Sequence, residues 1–150
     1  MAKAKSHVPE GLPALIPQLV VKDALALVDF AKQAFGAELG HFMPGPDGKG
    51  VMHGMFTIAG APVFISDISG FAQPTNANMF VYVPDVDASV AKAVSAGAKL
   101  LAPVADMFWG DRWGMLADPW GNVWQVATHK ERLEPEEMMK RMAENAKLPK

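Results

Sequence analysis

His41 and His53 lie symmetrically about Asp47 in the turn-rich run Pro44-Gly-Pro-Asp-Gly-Lys-Gly50. A regular hairpin there would set the two imidazoles opposite each other, at a distance where cross-strand side chains touch. Two imidazoles begin a metal site, but such a site needs three or four ligands. His53 is therefore read as a structural or pocket histidine before a metal ligand. Trp109 and Trp113 flank Gly110-Asp-Arg112 in what reads as a loop, bounded by Gly110 and Gly114. Aromatic faces in that loop can stack a flat or apolar ligand, helped by the Arg112 guanidinium. The competing reading is an Asp111–Arg112 brace. Trp120 and Trp124 are read as core. Met43, Met52 and Met55 suit an adaptable cavity wall, although the chain's ten methionines also suit gap-filling. No Ser-His-Asp spacing and no phosphate-cradling glycine loop is present.

The chain around these residues has 150 positions, enough for one domain or two small modules sharing a core. Half of it is hydrophobic and 20% is charged, which excludes general disorder. The absence of cysteine excludes a thiol nucleophile, a zinc ribbon, an iron–sulfur site and a disulfide scaffold. A net charge of −2 leaves no electrostatic footprint for nucleic acid. Met1-Ala-Lys-Ala-Lys-Ser-His7 lacks the apolar stretch of a signal peptide, and the apolar runs are too short for a membrane span. A soluble, cytoplasmic protein without nucleic-acid or membrane partners is expected.

The elements that must position the candidates follow from periodicity. Leu15–Val21 predicts a strand, its first half weakened by Pro17. Asp23 sits at an N-cap, Leu25, Leu27, Val28, Phe30, Ala31 and Phe35 follow at helical spacing, and Gly36 closes the helix. Glu38–Met43, Val51–Ile58 and Pro62–Asp67 read as strands, and Gly70–Asn76 as a linker. The order then repeats. A strand is predicted over Asn78–Val83 and a helix over Val86–Ala96, capped by Asp85 and ended at Gly97. Lys99–Ala105 is extended, Gly114–Ala117 is a short third strand, and Val123–Thr128 is the last. Gly36-Ala-Glu-Leu39 matches Gly97-Ala-Lys-Leu100, and Gly60 matches Gly121, both at an offset of 61. The expected architecture is α+β, with two tandem βαβββ modules at 14–68 and 77–130 whose mixed, curved sheets enclose a cavity. Residues 131–150 form a C-terminal helix and tail, the whole being one structural domain. Met138, Met139, Met142, Ala143 and Ala146 give that helix an apolar stripe, read as packing on its own module ahead of clasping a partner.

The stretch from Val20 to Leu39 resembles the opening of the vicinal oxygen chelate superfamily, which includes glyoxalases, bleomycin resistance proteins and extradiol dioxygenases. Ala105-Asp-Met-Phe-Trp-Gly-Asp-Arg-Trp-Gly114, Asp118-Pro-Trp-Gly-Asn122 and Trp124-Gln-Val-Ala-Thr-His-Lys130 resemble its PhnB-like branch. The resemblance covers about residues 14 to 143, and it leaves function open because the fold hosts many chemistries. Metal-dependent members resemble one another in placing a ligand on the first and last strand of each module. Counted from the caps and turns, those positions fall on Ile16, Phe64, Asn78 and Gln125. Ile16 and Phe64 cannot ligate, and two neutral amides are poor ligands for a catalytic divalent ion. His53 matches a histidine common in the branch, where Glu and Arg often follow on the same face; Met55 and Thr57 stand there instead.

The resemblance thus implies a metal-free protein with no cofactor that sequesters an apolar or aromatic small molecule, an antibiotic being one version. A net charge of −2 gives only weak attraction for cationic bleomycin. The ligand-binding candidates are His53, Phe64, Asn78, Trp109, Arg112, Trp113 and Gln125. The alternative is a lyase, isomerase or dioxygenase-type enzyme, using Asn78, Gln125 and His53 around a weakly held metal or His53 alone as base. A third reading is a structural or regulatory dimer with a vestigial cavity. A homodimer is expected because exposed strand edges must be protected.

Overall fold

The computed structural model describes residues 3–70 and 72–145, so Ala146 of the expected helical stripe and the first two residues lie outside the described ones. The order is β1 (Gln18–Val21), α1 (Ala24–Phe35), β2 (Glu38–Pro44), β3 (Val51–Ile58) and β4 (Ala61–Asp67). Then come β5 (Asn78–Tyr82), α2 (Val86–Ser95), β6 (Lys99–Asp106), β7 (Asp111–Ala117), β8 (Val123–His129) and α3 (Pro135–Asn145). The fold is α+β with two tandem βαβββ modules. Each makes a four-stranded mixed sheet, in the orders β1-β4-β3-β2 and β5-β8-β7-β6. The first and last strands of each module pair in parallel and the other pairs are antiparallel. The helix of each module crosses from the first strand at one sheet edge to the second strand at the other. The antiparallel meander that follows returns the last strand to lie parallel beside the first. The chain divides into two compact units, one holding β1–β4 with most of α1, the other Gln33–Phe35 and the chain from Asn76 onward.

The two modules solve the same capping problem at equivalent positions. A helix N-terminus leaves backbone N–H groups without intrahelical partners. Asp23 accepts the Ala26 N–H at 3.2 Å, and Asp85 accepts the Ala88 N–H at 3.0 Å. The module's last strand supplies a second acceptor. Asp67 receives the Asp23 and Ala24 N–H groups at 2.8 and 3.1 Å, while Thr128, 61 residues later, receives that of Val86 at 2.9 Å.

In the first unit, α1 buries Ala24, Leu27, Val28 and Ala31 at helical spacing, and Phe56, Ile58, Val63 and Ile65 alternate onto one buried sheet face. In the second, α2 packs against β6, β7 and β8 and covers Leu116, Trp124 and Val126. Asp118-Pro-Trp-Gly-Asn122 is a buried brace. The Asp118 carboxylate accepts the backbone N–H of Trp120 and Asn122 and the indole N–H of Trp124, each at 2.9 Å, and the Asn122 amide at 3.0 Å.

Several boundaries differ from expectation. β1 starts at Gln18 instead of Leu15, since Pro17 has no N–H for a ladder, and Ile16 lies ahead of the strand. α2 ends at Ser95, capped by Ala96. β7 starts at Asp111 instead of Gly114, which puts Arg112 and Trp113 in a strand. The turn closes earlier because Gly110, at φ +99°, bonds back to Met107, and Met107 to Asp111. A side chain at Gly110 would collide with the Glu131 carbonyl. Trp124 is core as expected, whereas Trp120 is only half-buried in the turn. The helix α3 is not packed on its own module in the expected way: none of its described residues is buried, and Met139 is 66% exposed.

Candidate functional site

Strand alternation sends one set of side chains into each unit's core and the other onto an open sheet face. In the first unit, His53, Met55 and Thr57 of β3 share the open face with Phe64 of β4, which pairs with Met55. The His53 ring meets Phe64 edge-on, with centroids 4.7 Å apart. The expected pairing of His41 with His53 does not form. The ladder next to the turn pairs Pro44 with Val51, and a register shift between Met43 and Pro44 leaves an extra residue in β3, so His53 opposes Met43. The two imidazole centroids are 6.4 Å apart. This face is mostly apolar, with Phe64 standing where a donor would be needed.

In the second unit, Gly114, Leu116, Trp124 and Val126 turn inward, so Trp113 and Gln125 lie on the open face. Asn78, Phe80 and Tyr82 of β5 pair with Val123, Gln125 and Ala127 and share it. The Gln125 amide is held at both ends. Its N–H donates to the Asn78 carbonyl oxygen at 3.1 Å, and its own oxygen accepts the Trp113 indole N–H at 3.2 Å. Trp113 stands edge-on to Trp109 at 5.9 Å, and Trp109 to Phe108 at 5.0 Å.

The face continues into a second polar cluster. His129, the last residue of β8, lies directly opposite Asp111 of β7. Asp111 is 3% exposed and accepts His129 Nδ1–H at 2.8 Å, the Tyr82 hydroxyl at 3.0 Å and the Trp109 indole N–H at 2.9 Å. Tyr82 in turn contacts Phe80, with centroids 5.1 Å apart. One continuous strip therefore runs from Asn78 through Gln125, Trp113, Trp109 and Asp111 to Tyr82 and His129. The Tyr82 pKa is pushed up from its ordinary value, first by desolvation and then by the hydrogen bond to the Asp111 carboxylate and that group's charge.

Arg112 does not join this strip. Alternation along β7 sends it to the opposite face from Trp113, where its guanidinium grips the Asp87 carboxylate at 2.7 and 2.9 Å and Asp106 at 3.2 Å. Its pKa is raised by these carboxylates, and that of Asp87 is lowered by Arg112. The expected Asp111–Arg112 brace is absent for the same reason; Asp111 braces Trp109 instead. Beside Asp111, a cavity of about 470 Å³ is lined by Asp106, Lys130, Glu131 and Arg141 among others. Arg141 is paired with Glu131 at 2.6 Å and Glu137 at 3.0 Å.

The residues at the family's ligand positions do not fit a divalent metal. Ile16 and Phe64 have no donor atom, and the amide oxygens of Asn78 and Gln125 each already accept an N–H. Among the described residues no three His, Cys, Asp or Glu side chains gather to hold a metal ion. Sequence reading missed Tyr82, His129 and the role of Asp111. His129 stands at the end of the Trp124–Lys130 motif, but its partner became identifiable only once β7 was seen to begin at Asp111.

Residues 14–126 match the Glyoxalase/Bleomycin resistance protein/Dioxygenase superfamily. The uncharacterized protein Rv0887c of Mycobacterium tuberculosis is 40% identical over 126 residues, covering 76% of this chain and 73% of that protein. Among solved structures, TioX from Micromonospora sp. ML1 is similar with a TM-score of 0.65 and 25% identity, covering 78% of this chain and 98% of TioX. A PhnB protein from Bacillus cereus, described as a putative 3-demethylubiquinone-9 3-methyltransferase, shares the fold. Its TM-score is 0.61 at 17% identity, over 77% of this chain and 99% of that one.

Proposed function

Because the chain belongs to the glyoxalase/bleomycin resistance protein/dioxygenase superfamily, we propose that it binds a small organic molecule without a metal, on the open faces of its sheets. The ligand is apolar or aromatic, and the protein sequesters it instead of converting it through a metal centre. The observation that carries this reading is the Asn78–Gln125–Trp113 chain. Neutral amides whose oxygens already accept an N–H occupy two of the positions where related enzymes need anionic or imidazole donors, and the indole beside them is left half-exposed.

Phe80 and Tyr82 are exposed large side chains on the same face, an arrangement that marks binding surfaces. His53 and Phe64 give the first sheet a comparable aromatic pair. Arg112, held by two carboxylates, contributes to the architecture of the second unit more than to the ligand. A homodimer belongs to the same reading. It is supported by β2, an edge strand whose seven residues are all exposed and include Phe42 and Met43.

The test is a tryptophan-fluorescence titration with a panel of flat hydrophobic compounds, melting curves being recorded alongside. Trp113→Ala and Trp109→Ala should weaken binding about three- to tenfold, the loss expected for one stacked ring. Absence of binding by the unmodified protein, or variants that lose stability at unchanged affinity, would overturn the proposal. So would stoichiometric metal after chelator-free purification that disappears in Gln125→Ala.

A further inference from the structure

We infer that Asp111 and His129 form a proton-accepting pair, and that the ligand of the second sheet is an aromatic compound with an ionisable hydroxyl whose proton passes to His129 Nε2. This inference rests on the open face of that sheet being the binding surface.

An ionised carboxylate can only accept, so the 2.8 Å contact with Asp111 fixes the hydrogen of neutral His129 on Nδ1 and leaves the lone pair on Nε2. The two members differ in access. Asp111 is 3% exposed, whereas the His129 side chain is 58% exposed, so a ligand reaches the imidazole and not the carboxylate. Tyr82 and Trp109 donate to the same carboxylate from two further directions. That arrangement holds the Asp111 carboxylate in place, as a base-orienting group must be held. An imidazolium formed at His129 is thereby compensated in advance. The other charges lining the cavity beside Asp111 are Asp106, which is paired with Arg112; Lys130 and Glu131, which follow His129; and Arg141, which is tied to Glu131 and Glu137.

The ligand class follows from what surrounds the base. Aromatic rings at Phe80, Tyr82, Trp109 and Trp113 offer stacking along the strip, and the base stands at its end. His129 shares a partner, Asp111, with Tyr82 and Trp109, so a ring bound on the strip can bring a substituent to its exposed imidazole. Imidazole cannot deprotonate an aliphatic alcohol to a useful extent, and a carboxylic acid arrives at neutral pH already ionised. A phenol-like hydroxyl acidified by electron-withdrawing ring substituents, with a pKa close to that of imidazole, is the matching donor. In the step, the ligand O–H bond breaks, its electron pair stays on oxygen, and an N–H bond forms at Nε2. The products are a phenolate and an imidazolium paired with Asp111, and no oxidant or reductant is needed.

The experiment uses the full chain with para-nitrophenol and para-nitroanisole at a pH below the phenol's own pKa. Binding of the phenol should bring up the nitrophenolate absorbance band, and the ether, which has no proton to give, should bind about tenfold more weakly. His129→Gln, on an exposed strand end, should keep the melting temperature, abolish the band and bring the two affinities together. A bound phenol without the band, or a band that survives His129→Gln, overturns the inference and leaves the aromatic binding face standing. If neither probe binds the unmodified protein, both the inference and the proposed function fail.

Discussion

Tyr82 reaches across β8 from β5 to donate its hydroxyl to Asp111 on β7 at 3.0 Å. Ala127, fully buried, pairs with Tyr82 on one side and with Trp113, two residues from Asp111 on the same face, on the other. A larger side chain at that position on β8 would block the path, so the contact depends on three strands at once. It ties the edge strand β5 to the cluster that orients His129.

Tyr82 is the chain's single tyrosine, so its ionisation can be read without interference. Its titration midpoint, followed by tyrosinate absorbance, should lie above the ordinary value of 10.0. Asp111→Asn should lower the midpoint only in part, because burial is the larger cause and remains. A raised folded pKa means that this contribution to stability is complete below the ordinary value and is lost as pH rises through the folded one. An unshifted midpoint in the unmodified protein would contradict the geometry.

On the opposite face of β7, Arg112 holds the Asp87 carboxylate below its ordinary value of 3.8. The sign is the reverse of the tyrosine case. The contribution is complete above 3.8 and is lost as pH falls through the lower folded value. The melting-temperature gap between the unmodified protein and Arg112→Gln should therefore shrink on acidification through that range. Arg112→Lys should close little of the gap at neutral pH, since an ammonium cannot make the two-pronged contact. A gap independent of pH would rule out the pair as its source.

Asp118 is the acceptor for four donors in the turn before β8. Asp118→Ala strands them in the interior and should cost about 3 kcal/mol or more in urea unfolding. Asp118→Asn, which keeps one oxygen, should cost less. Trp120→Ala, in a half-buried position, should cost less than truncation of the fully buried Trp124. Equal losses for the two tryptophans would return Trp120 to the core.

Light scattering at micromolar concentration should give the mass of a dimer, and Phe42→Lys on the exposed strand β2 should shift it towards the monomer. A monomer at every concentration would remove the homodimer from the proposed function.

Repetition was the part of this molecule most readable from sequence. The 61-residue offset marks glycines whose roles are set by local backbone chemistry, Gly60 and Gly121 sharing positive φ angles of 78° and 86°, while the N-caps Asp23 and Asp85 repeat one residue further apart. What depended on register was not readable. Symmetry about Asp47 would bring His41 and His53 opposite each other, but Pro44 pairs with Val51 and the extra residue Met52 in β3 then sets His53 opposite Met43. Arg112 and Trp113 are adjacent in sequence and look like partners in a loop, but a strand sends adjacent side chains to opposite faces. Asp111 and His129, 18 residues apart, meet only through the pairing of β7 with β8. Gln125 and Asn78 were identifiable through the family resemblance, while their mutual hydrogen bond needed the parallel pairing of β5 with β8.

The pairing of β7 with β8 runs unbroken from Asp111 opposite His129 to Ala117 opposite Val123, whereas β6 meets β7 with two register shifts. The strands therefore differ in how they tolerate a change of length. One residue gained or lost in β6 falls in a ladder that is already irregular. One residue inserted between Asp111 and Trp113 reverses the facing of everything on one side of it, so the indole would leave Gln125 or the carboxylate would leave His129. A single-codon insertion at that point separates the two halves of the strip, which makes the central hairpin less permissive than β6 for loop grafting or chain-length drift.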